Sequence, residues 1–573
     1  MENQRNMILA IVLSAIVLFG WSALSDRFFP TANPPATKVV DGKPVPVPQP
    51  GANPASSAPA TVRNRELVLR ETPRVRIDTP ALAGSINLTG ARIDDLVLKR
   101  HRETIAKNSP PIRLLSPEGG PNPVYAQFGW SGEGAPMPGN DTVWQADGQL
   151  LGVNRPVTLS WANGTGQTFH IRLSIDANYM ITAEQSVANS GSGPIAVRPF
   201  SLVKHTGIPK EPDSWTVHIG PMGVFDGVAN YDVNYPDLDE AGAVGRSFTS
   251  TGGWLGFTDK YWLTALAPAA NARVSASFRT IGDKTYLAAF TPADQSVLAP
   301  GKAVTSTTRL FSGAKEVGVL QSYERDLNIA QFDKAIDWGW FAWFERPIFS
   351  LLDWLFRAVG NFGVAIILLT VIVRLIMYPI AQRQFASMAA MRVLQPKVKA
   401  LQERHKDDKQ KLQQEMLELY RKEKVNPLAG CLPILIQIPI FYALYKVLIL
   451  TIEMRHQPFA LWIKDLSAPD PMTPVNLFGL LNFTPPSFLA LGVLPILLGV
   501  TMYIQFKLNP AQMDPVQQQV FSIMPWVFMF IMAPFAAGLQ LYWTVSNILA
   551  IAQQKWLYSR YPALKSQPGP ITS

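Results

Sequence analysis

Cysteine is almost missing: Cys431 is the only one in 573 residues, so neither an intramolecular disulfide nor a cysteine metal cluster can form. Six scattered histidines (His101, His170, His205, His218, His405, His456) show no ligand spacing. There is no GxxxxGK(S/T) phosphate loop, no GxGxxG and no HExxH. These absences remove nucleotide hydrolysis and zinc chemistry, and no metal, cofactor or covalent catalysis is expected. A chain without nucleotide machinery draws instead on binding energy, hydrophobic partitioning or another motor.

A hydrophobic fraction of 47% and a mean hydropathy of +0.09 are close to globular values, but the averages hide segregation. Apolar runs crowd the first 25 residues and the last 230, while the middle reads as soluble. The net charge of +9 is less telling than its location. A surplus of bases lies between the second and third apolar segments, as in a cytoplasmic loop beside a membrane, and no specific nucleic-acid sequence is expected as a partner.

Met7–Leu24 is an 18-residue apolar stretch, just long enough to span. A cleaved signal peptide is the rival, but no small-x-small site precedes a natural mature end. Residues 1–25 are therefore read as an uncleaved anchor with a cytoplasmic amino terminus. Residues 26–62 are rich in Pro, Ala and Ser and read as an extended tether. From 63 to 337 the period changes to two. Val157, Leu159 and Trp161 alternate with polar residues, Asn163-Gly164 follows, and Phe169, Ile171, Leu173 and Ile175 alternate again. That pattern predicts a hairpin within a large antiparallel β-sandwich.

Residues 338–360 open with a tryptophan cluster, Trp338, Trp340, Trp343 and Trp354, of the kind that meets lipid headgroups. Ile348, Leu351, Leu352, Leu355, Phe356 and Val359 follow helical spacing opposite Ser350, Asp353 and Arg357. This predicts an amphipathic interfacial helix; a helix packed on the β-domain is the alternative. Five further apolar segments follow, near 361–381, 431–452, 487–506, 520–534 and 536–556. Pro534 divides the last two, which read as a tight helical hairpin, with one broken helix as the alternative. The fold class expected is a polytopic α-helical membrane protein of six spans with a large all-β domain. Loop 382–430 holds eleven Lys/Arg against six Asp/Glu, whereas the 453–486 loop has only Arg455 and Lys464 as bases. The former is therefore cytoplasmic, as are both termini, including the tail 557–573.

Within 382–430, Leu394, Val398 and Leu401 recur at i, i+4, i+7, and Leu412, Met416 and Leu419 repeat the spacing beyond Asp407-Asp408. Two charged helices would pair these stripes as an antiparallel hairpin. Lys397, Lys399, Arg404, Lys406, Lys409 and Lys411 stay outside, either as a solvated face or as a docking surface for ribosomal RNA, anionic lipid or an acidic targeting factor.

Arg374 lies about 10 Å inside the second span at a rise of 1.5 Å per residue, where a guanidinium is costly unless water or a partner meets it. Snorkelling to the headgroups is one reading. The other is a wet cavity. Thr370 sits one turn earlier, Gln540, Thr544 and Asn547 form a polar stripe in the last span, and Gln437 lies between Pro433 and Pro439. Interhelical hydrogen bonding would also explain these groups. No acidic residue lies well inside the spans to neutralise Arg374, which favours a cavity that lowers the desolvation cost of another chain's polar segment.

The runs Val373–Pro379, Met391–Lys397, Glu423–Leu428, Gly430–Pro433, Gln437–Phe441, Phe459–Trp462, Asp465–Ser467 and Leu541–Asn547 resemble those of the YidC membrane protein insertases. The resemblance covers essentially the full chain, and the large β-domain matches the Gram-negative form. It implies an inner-membrane insertase and chaperone that inserts, folds and helps assemble nascent membrane proteins, alone or beside the SecYEG translocon. Ribosome and signal-recognition-particle receptor contacts would lie on the cytoplasmic side. It also implies a β-supersandwich in the periplasm and a five-span core, 361–556, whose groove opens to cytoplasm and lipid. Arg374 matches the family's groove arginine, and Thr370, Ile438, Pro439, Phe441, Tyr542 and Trp543 match positions that hold the substrate helix. Trp543 departs from the tyrosine often found there, keeping an aromatic surface but losing a hydroxyl. A channel or small-solute transporter is the alternative, weakened because the spans do not divide into similar halves. An envelope enzyme seated in the β-domain is a third, weakened by the missing motifs.

Overall fold

The computed structural model describes residues 37–40, 43–46, 63–209, 217–405, 408–423, 432–478, 480–481, 491–508 and 515–560. The anchor Met7–Leu24, most of the tether, Cys431, Lys406 and the tail beyond Arg560 lie outside them. Within the tether, Thr37–Val40 pairs antiparallel with Lys43–Pro46, so this part of the expected extended segment is a small hairpin.

Two large sheets, of eleven and nine strands, build the domain that follows. The pairing is antiparallel throughout except where Arg74–Asp78 runs parallel to Leu150–Leu151. Alternation explains the faces. Gln167–Ile175 buries every second residue, and it pairs with Val157–Ala162 so that Val157 faces Leu173, Leu159 faces Ile171 and Trp161 faces Phe169. The hairpin is the one that the period predicts, but its turn is longer than the Asn163-Gly164 pair. Asn163 Oδ1 accepts from Thr165 N (3.0 Å) and Gln167 N (3.1 Å), which draws four residues, 163–166, into the loop.

The sheets share one core, in which Phe128, Phe169, Trp254, Phe278 and Phe311 are nearly or fully buried. Polar groups caught between the sheets are partnered: Gln185 Nε2 donates to Gly129 O (2.8 Å), and Ser201 Oγ to Thr308 Oγ1 (3.0 Å). Such pairing removes the desolvation penalty and fixes how one sheet sits on the other.

Seven helices carry the argument from here. α1 (Ala342–Val359) ends where Gly360 takes φ 71°, a left-handed turn that favours glycine. Asn361 then caps α2 (Phe362–Arg404) by accepting from Val364 N at 3.1 Å. α2 runs on for 43 residues through Pro379 and Pro396, joining the second apolar segment to the basic loop in a single rod. α3 (Lys409–Lys422) turns back along it: Lys397 pairs with Glu423 (2.6 Å) and His405 with Glu415 (3.1 Å), an antiparallel order. α4 is Leu432–Leu450, α5 Val493–Leu508, α6 Pro515–Met532 and α7 Ala537–Arg560.

Among the described residues one stretch, Phe362–Arg383, is long and apolar enough to cross a membrane, with mean hydropathy 2.4. Gln437–Leu450, Val493–Leu508 and Ser522–Met532 are shorter apolar helices. Between α6 and α7 the chain doubles back, bringing the Phe528 and Trp543 rings to 4.6 Å. Gln540 closes that turn by donating to Met532 O (2.9 Å) and Phe535 O (2.8 Å).

Of the four tryptophans expected at headgroup level, Trp340, Trp343 and Trp354 are exposed, at 80%, 70% and 63%. Trp338 is not. It is buried against Phe349, ring centroids 5.8 Å apart, because the chain entering α1 first crosses the junction core. On α1, Phe349, Leu352 and Leu355 face inward with Glu345, and Phe356 stacks on Phe362 of α2 at 3.9 Å.

Candidate functional site

Arg374 projects from the middle of α2 toward α7, where its Nε and Nη2 both donate to Ser546 Oγ (3.2 and 2.7 Å). It makes no ion pair among the described residues. A hydroxyl shared by two guanidinium donors satisfies part of the cation without neutralising it. One turn of α7 away, Tyr542 Oη accepts from Gln437 Nε2 of α4 at 3.1 Å. Arg374, Ser546, Tyr542 and Gln437 thus draw α2, α7 and α4 together around a polar centre.

The remaining polar candidates divide differently. Thr370 is buried and donates to Ile366 O of its own helix (2.7 Å). Gln540 is spent on the α6–α7 turn. Asn547 Nδ2 donates to Thr501 Oγ1 of α5 at 3.2 Å. Thr544 is buried with its hydroxyl lacking a partner. Of these four groups, read as cavity polarity, Asn547 fits the interhelical reading, Gln540 holds a turn, and Thr370 is satisfied within its own helix. Ser546 was not singled out by the sequence, although its i, i+4 spacing from Tyr542 puts both on one face of α7.

An apolar aromatic patch adjoins the polar centre. Trp543 packs on Phe441 (4.4 Å) and Phe528 (4.6 Å), Pro439 is half-buried and Ile438 is 58% exposed. Leu375 and Ile376, beside Arg374 on α2, are 66% and 68% exposed. Polar atoms within and bare aliphatic surface at the rim thus lie a few residues apart.

The opposite end is closed by the segment between α4 and α5. Asn361 Nδ2 donates to Phe459 O (2.9 Å), Ala537 N to Ala468 O (2.7 Å) and Gly538 N to Leu466 O (2.9 Å). Phe459 lies so close over Gly363 that any Cβ there would collide with its ring. Asp470, 4% exposed, gathers Trp462 Nε1 (2.9 Å), Met472 N (3.0 Å) and Leu494 N (2.7 Å). At the same end Lys446 of α4 is buried and donates to Asp337 O at 2.8 Å, tying the bundle to the β-domain.

On the basic hairpin, Lys397, Arg404 and Lys411 are exposed, and Lys397 is already paired with Glu423. Lys399 and Lys409 lie on α2 and α3, and Lys406 falls outside the described residues. Among the described residues no cluster of three or more His, Cys, Asp or Glu is placed to hold a metal.

Two family models match consecutive parts of the chain: a YidC periplasmic domain over residues 74–351 and a 60Kd inner membrane protein over 354–564. The chain is 50% identical over 561 residues to a membrane protein insertase YidC of Zymomonas mobilis subsp. mobilis, covering 98% of this chain and 96% of that one. It is 47% identical over 583 residues to a protein of the same description from Methylorubrum extorquens, covering 96% and 94%. Among solved structures, an active YidC insertase with its first transmembrane domain resolved covers 86% of this chain and 93% of its own, at 20% identity and a TM-score of 0.36. A galactose mutarotase related enzyme from Lactobacillus acidophilus covers 42% and 97%, at 9% identity and a TM-score of 0.29.

Proposed function

This chain belongs to the YidC family of membrane protein insertases, and we propose that it performs insertion through a groove centred on Arg374. It is an inner-membrane insertase with an all-β periplasmic domain. In the proposed arrangement, six spans leave both termini in the cytoplasm. The anchor occupies 1–25, the tether 26–62, the β-domain 63–337, the interfacial helix 338–360, the five-span core 361–556 and the tail 557–573.

The observation that carries this reading is the Arg374–Ser546 contact, a cation met by a hydroxyl and by no carboxylate among the described residues. A cation so placed attracts the acidic part of a passenger's polar segment and lowers the cost of holding it at membrane depth. Gln437 and Tyr542 add hydrogen-bonding groups, Thr370 and Thr544 add hydroxyls to the groove wall, and Gln540 and Asn547 fix the α6–α7 turn and the α5–α7 contact. The passenger's apolar helix then leaves along Ile438, Pro439, Phe441 and Trp543 into lipid, driven by partitioning. The segment bolted by Asp470 and Phe459 seals the periplasmic end. The hairpin bases Lys397, Lys399, Arg404, Lys406, Lys409 and Lys411 receive the ribosome, the signal-recognition-particle receptor or anionic lipid, and SecYEG is the partner for larger clients.

Purified full-length protein in liposomes is expected to insert a small single-span protein without ATP and without conducting ions steadily. Insertion no better than in empty liposomes ends this reading. Arg374→Ala is expected to cut insertion of clients with acidic translocated segments about tenfold, since the charge offsets a cost of a few kcal/mol, with neutral clients affected less. Arg374→Lys retains part of the activity if charge rather than fork geometry matters. Equal loss for acidic and neutral clients would make Arg374 a structural residue.

A further inference from the structure

A second site lies away from the groove. A cavity of about 760 Å³ opens where the β-domain meets α1 and the segment after α4. That volume suits a small ligand. Its lining carries five Lys/Arg and three Asp/Glu, and the acids are already engaged. Asp353 accepts from Arg357 Nε (2.8 Å), Glu453 Oε1 from Val317 N (2.9 Å), and Glu316 lies 3.6 Å from His101 and takes the Tyr179 hydroxyl. Arg455 bolts the two walls together by donating to Arg102 O (2.8 Å) and Glu103 O (3.1 Å), with its guanidinium over the Trp262 ring at 5.3 Å.

Arg102 is held by its own loop, donating to Ser109 O (2.6 Å), which leaves three bases. Arg100, Lys107 and Lys464 are exposed in the lining; Arg100 stands near Glu316 and the Tyr179 hydroxyl. They come from two distant parts of the sequence, a strand and loop of the β-domain and the segment after α4. The mouth is also apolar. Ile105, 52% exposed at the tip of the 103–110 loop, stands with Phe356 of α1 in the lining, and Trp354 on the same helix is exposed. A free anion would use the three bases and leave that apolar rim idle. A lipid would use both, with its phosphodiester among the cations and its glycerol and first methylenes against Ile105 and Phe356.

We propose that this cavity binds the phosphate headgroup of an anionic phospholipid from the periplasmic leaflet. The site rests on the interfacial placement of α1 proposed above, and it pins the β-domain against the membrane surface.

The test uses the full chain in detergent micelles, titrated with dihexanoyl phosphatidylglycerol, dihexanoyl phosphatidylethanolamine and inorganic phosphate, with bound molecules counted by native mass spectrometry. Phosphatidylglycerol is expected to bind about tenfold more tightly than either competitor, and Arg100→Gln/Lys107→Gln/Lys464→Gln to lose about that factor. A control, Arg70→Gln/Lys284→Gln/Lys302→Gln, removes the same charge from exposed positions elsewhere on the β-domain and is expected to bind as the unmodified chain does. Equal binding by the first variant and the unmodified chain, or equal loss in both variants, overturns the site. Inorganic phosphate binding as tightly as phosphatidylglycerol overturns the lipid assignment. The membrane placement is checked separately, by a nitroxide on Ile105→Cys in a Cys431→Ser background in bilayers. Full exposure of that label to an aqueous relaxation agent removes the placement while leaving the micelle titration unaffected.

Discussion

The β-domain and the helical core bury similar kinds of side chain but differ in what they leave outside. In the β-domain the exposed large apolar residues are scattered singly, as Leu67, Val143, Val228, Val244 and Val297 are. On the helices they are contiguous: Leu375 and Ile376 on α2, and Ile523, Trp526, Val527, Phe530 and Ile531 on α6. The sandwich completes its core internally, whereas these helices leave contiguous apolar faces uncovered. Buried polar groups are more alike: Gln185 and Ser201 hold sheet to sheet, and Lys315 of the β-domain and Arg374 of α2 are each a cation met by a hydroxyl, that of Thr258 (2.9 Å) and that of Ser546 (2.7 Å).

The sharpest way to break this comparison is to remove a large side chain from each side. Trp254 is fully buried, with its ring edge-on to Phe332 at 5.4 Å. Trp254→Ala is expected to destabilise the β-domain by about 3–5 kcal/mol through cavity formation. Trp526→Ala, at a residue 43% exposed on α6, should leave thermal unfolding in bilayers nearly unchanged. Comparable losses would mean that α6 faces protein, not lipid.

A smaller effect is expected where the core is sealed. Asp470→Ala leaves Trp462 Nε1 and two backbone amides without their acceptor, at a cost of about 2–3 kcal/mol. Hydrogen exchange at Met472 and Leu494 would rise while the β-domain amides stay protected. Exchange rising everywhere would mean that the two regions unfold as one unit.

The smallest effect is at the junction and depends on pH. Burial pushes the Glu453 carboxyl up to about 7, above the ordinary glutamate value, so the folded protein holds a proton that the unfolded chain releases. The stability it contributes is fully present below about pH 4.5. It declines above that and is lost as pH rises through 7. Raising pH from 5 to 8 should therefore lower the protection factor of the Val317 amide, which Glu453 accepts from, speeding its exchange relative to the base-catalysed rate of an open chain at the same pH. Glu453→Gln should remove most of that dependence; an unaltered pH profile would show that Glu453 is not the titrating group.

How much was legible in advance varies by element. The hairpin 157–175 could be read because alternation is local, and the helix pairing of the basic loop because each apolar stripe follows the helical period. Trp338 could not be distinguished from Trp340, since both precede the same helix and only the crossing of the junction core buries one of them. The polar stripe of α7 was legible as a stripe, but not which of its members would be consumed by a turn.

Returning to that stripe, the spacing of Gln540, Thr544 and Asn547 follows from the helical period alone, and so does the presence of a lone arginine in an apolar run. Order along the chain likewise determined the family resemblance, which the relatives confirm over nearly the whole length. That Arg374 meets Ser546, 172 residues away, was decided only by how α2 and α7 are rotated against each other. Side-chain period is a property of one helix, but a hydrogen-bond partner belongs to the packing of two.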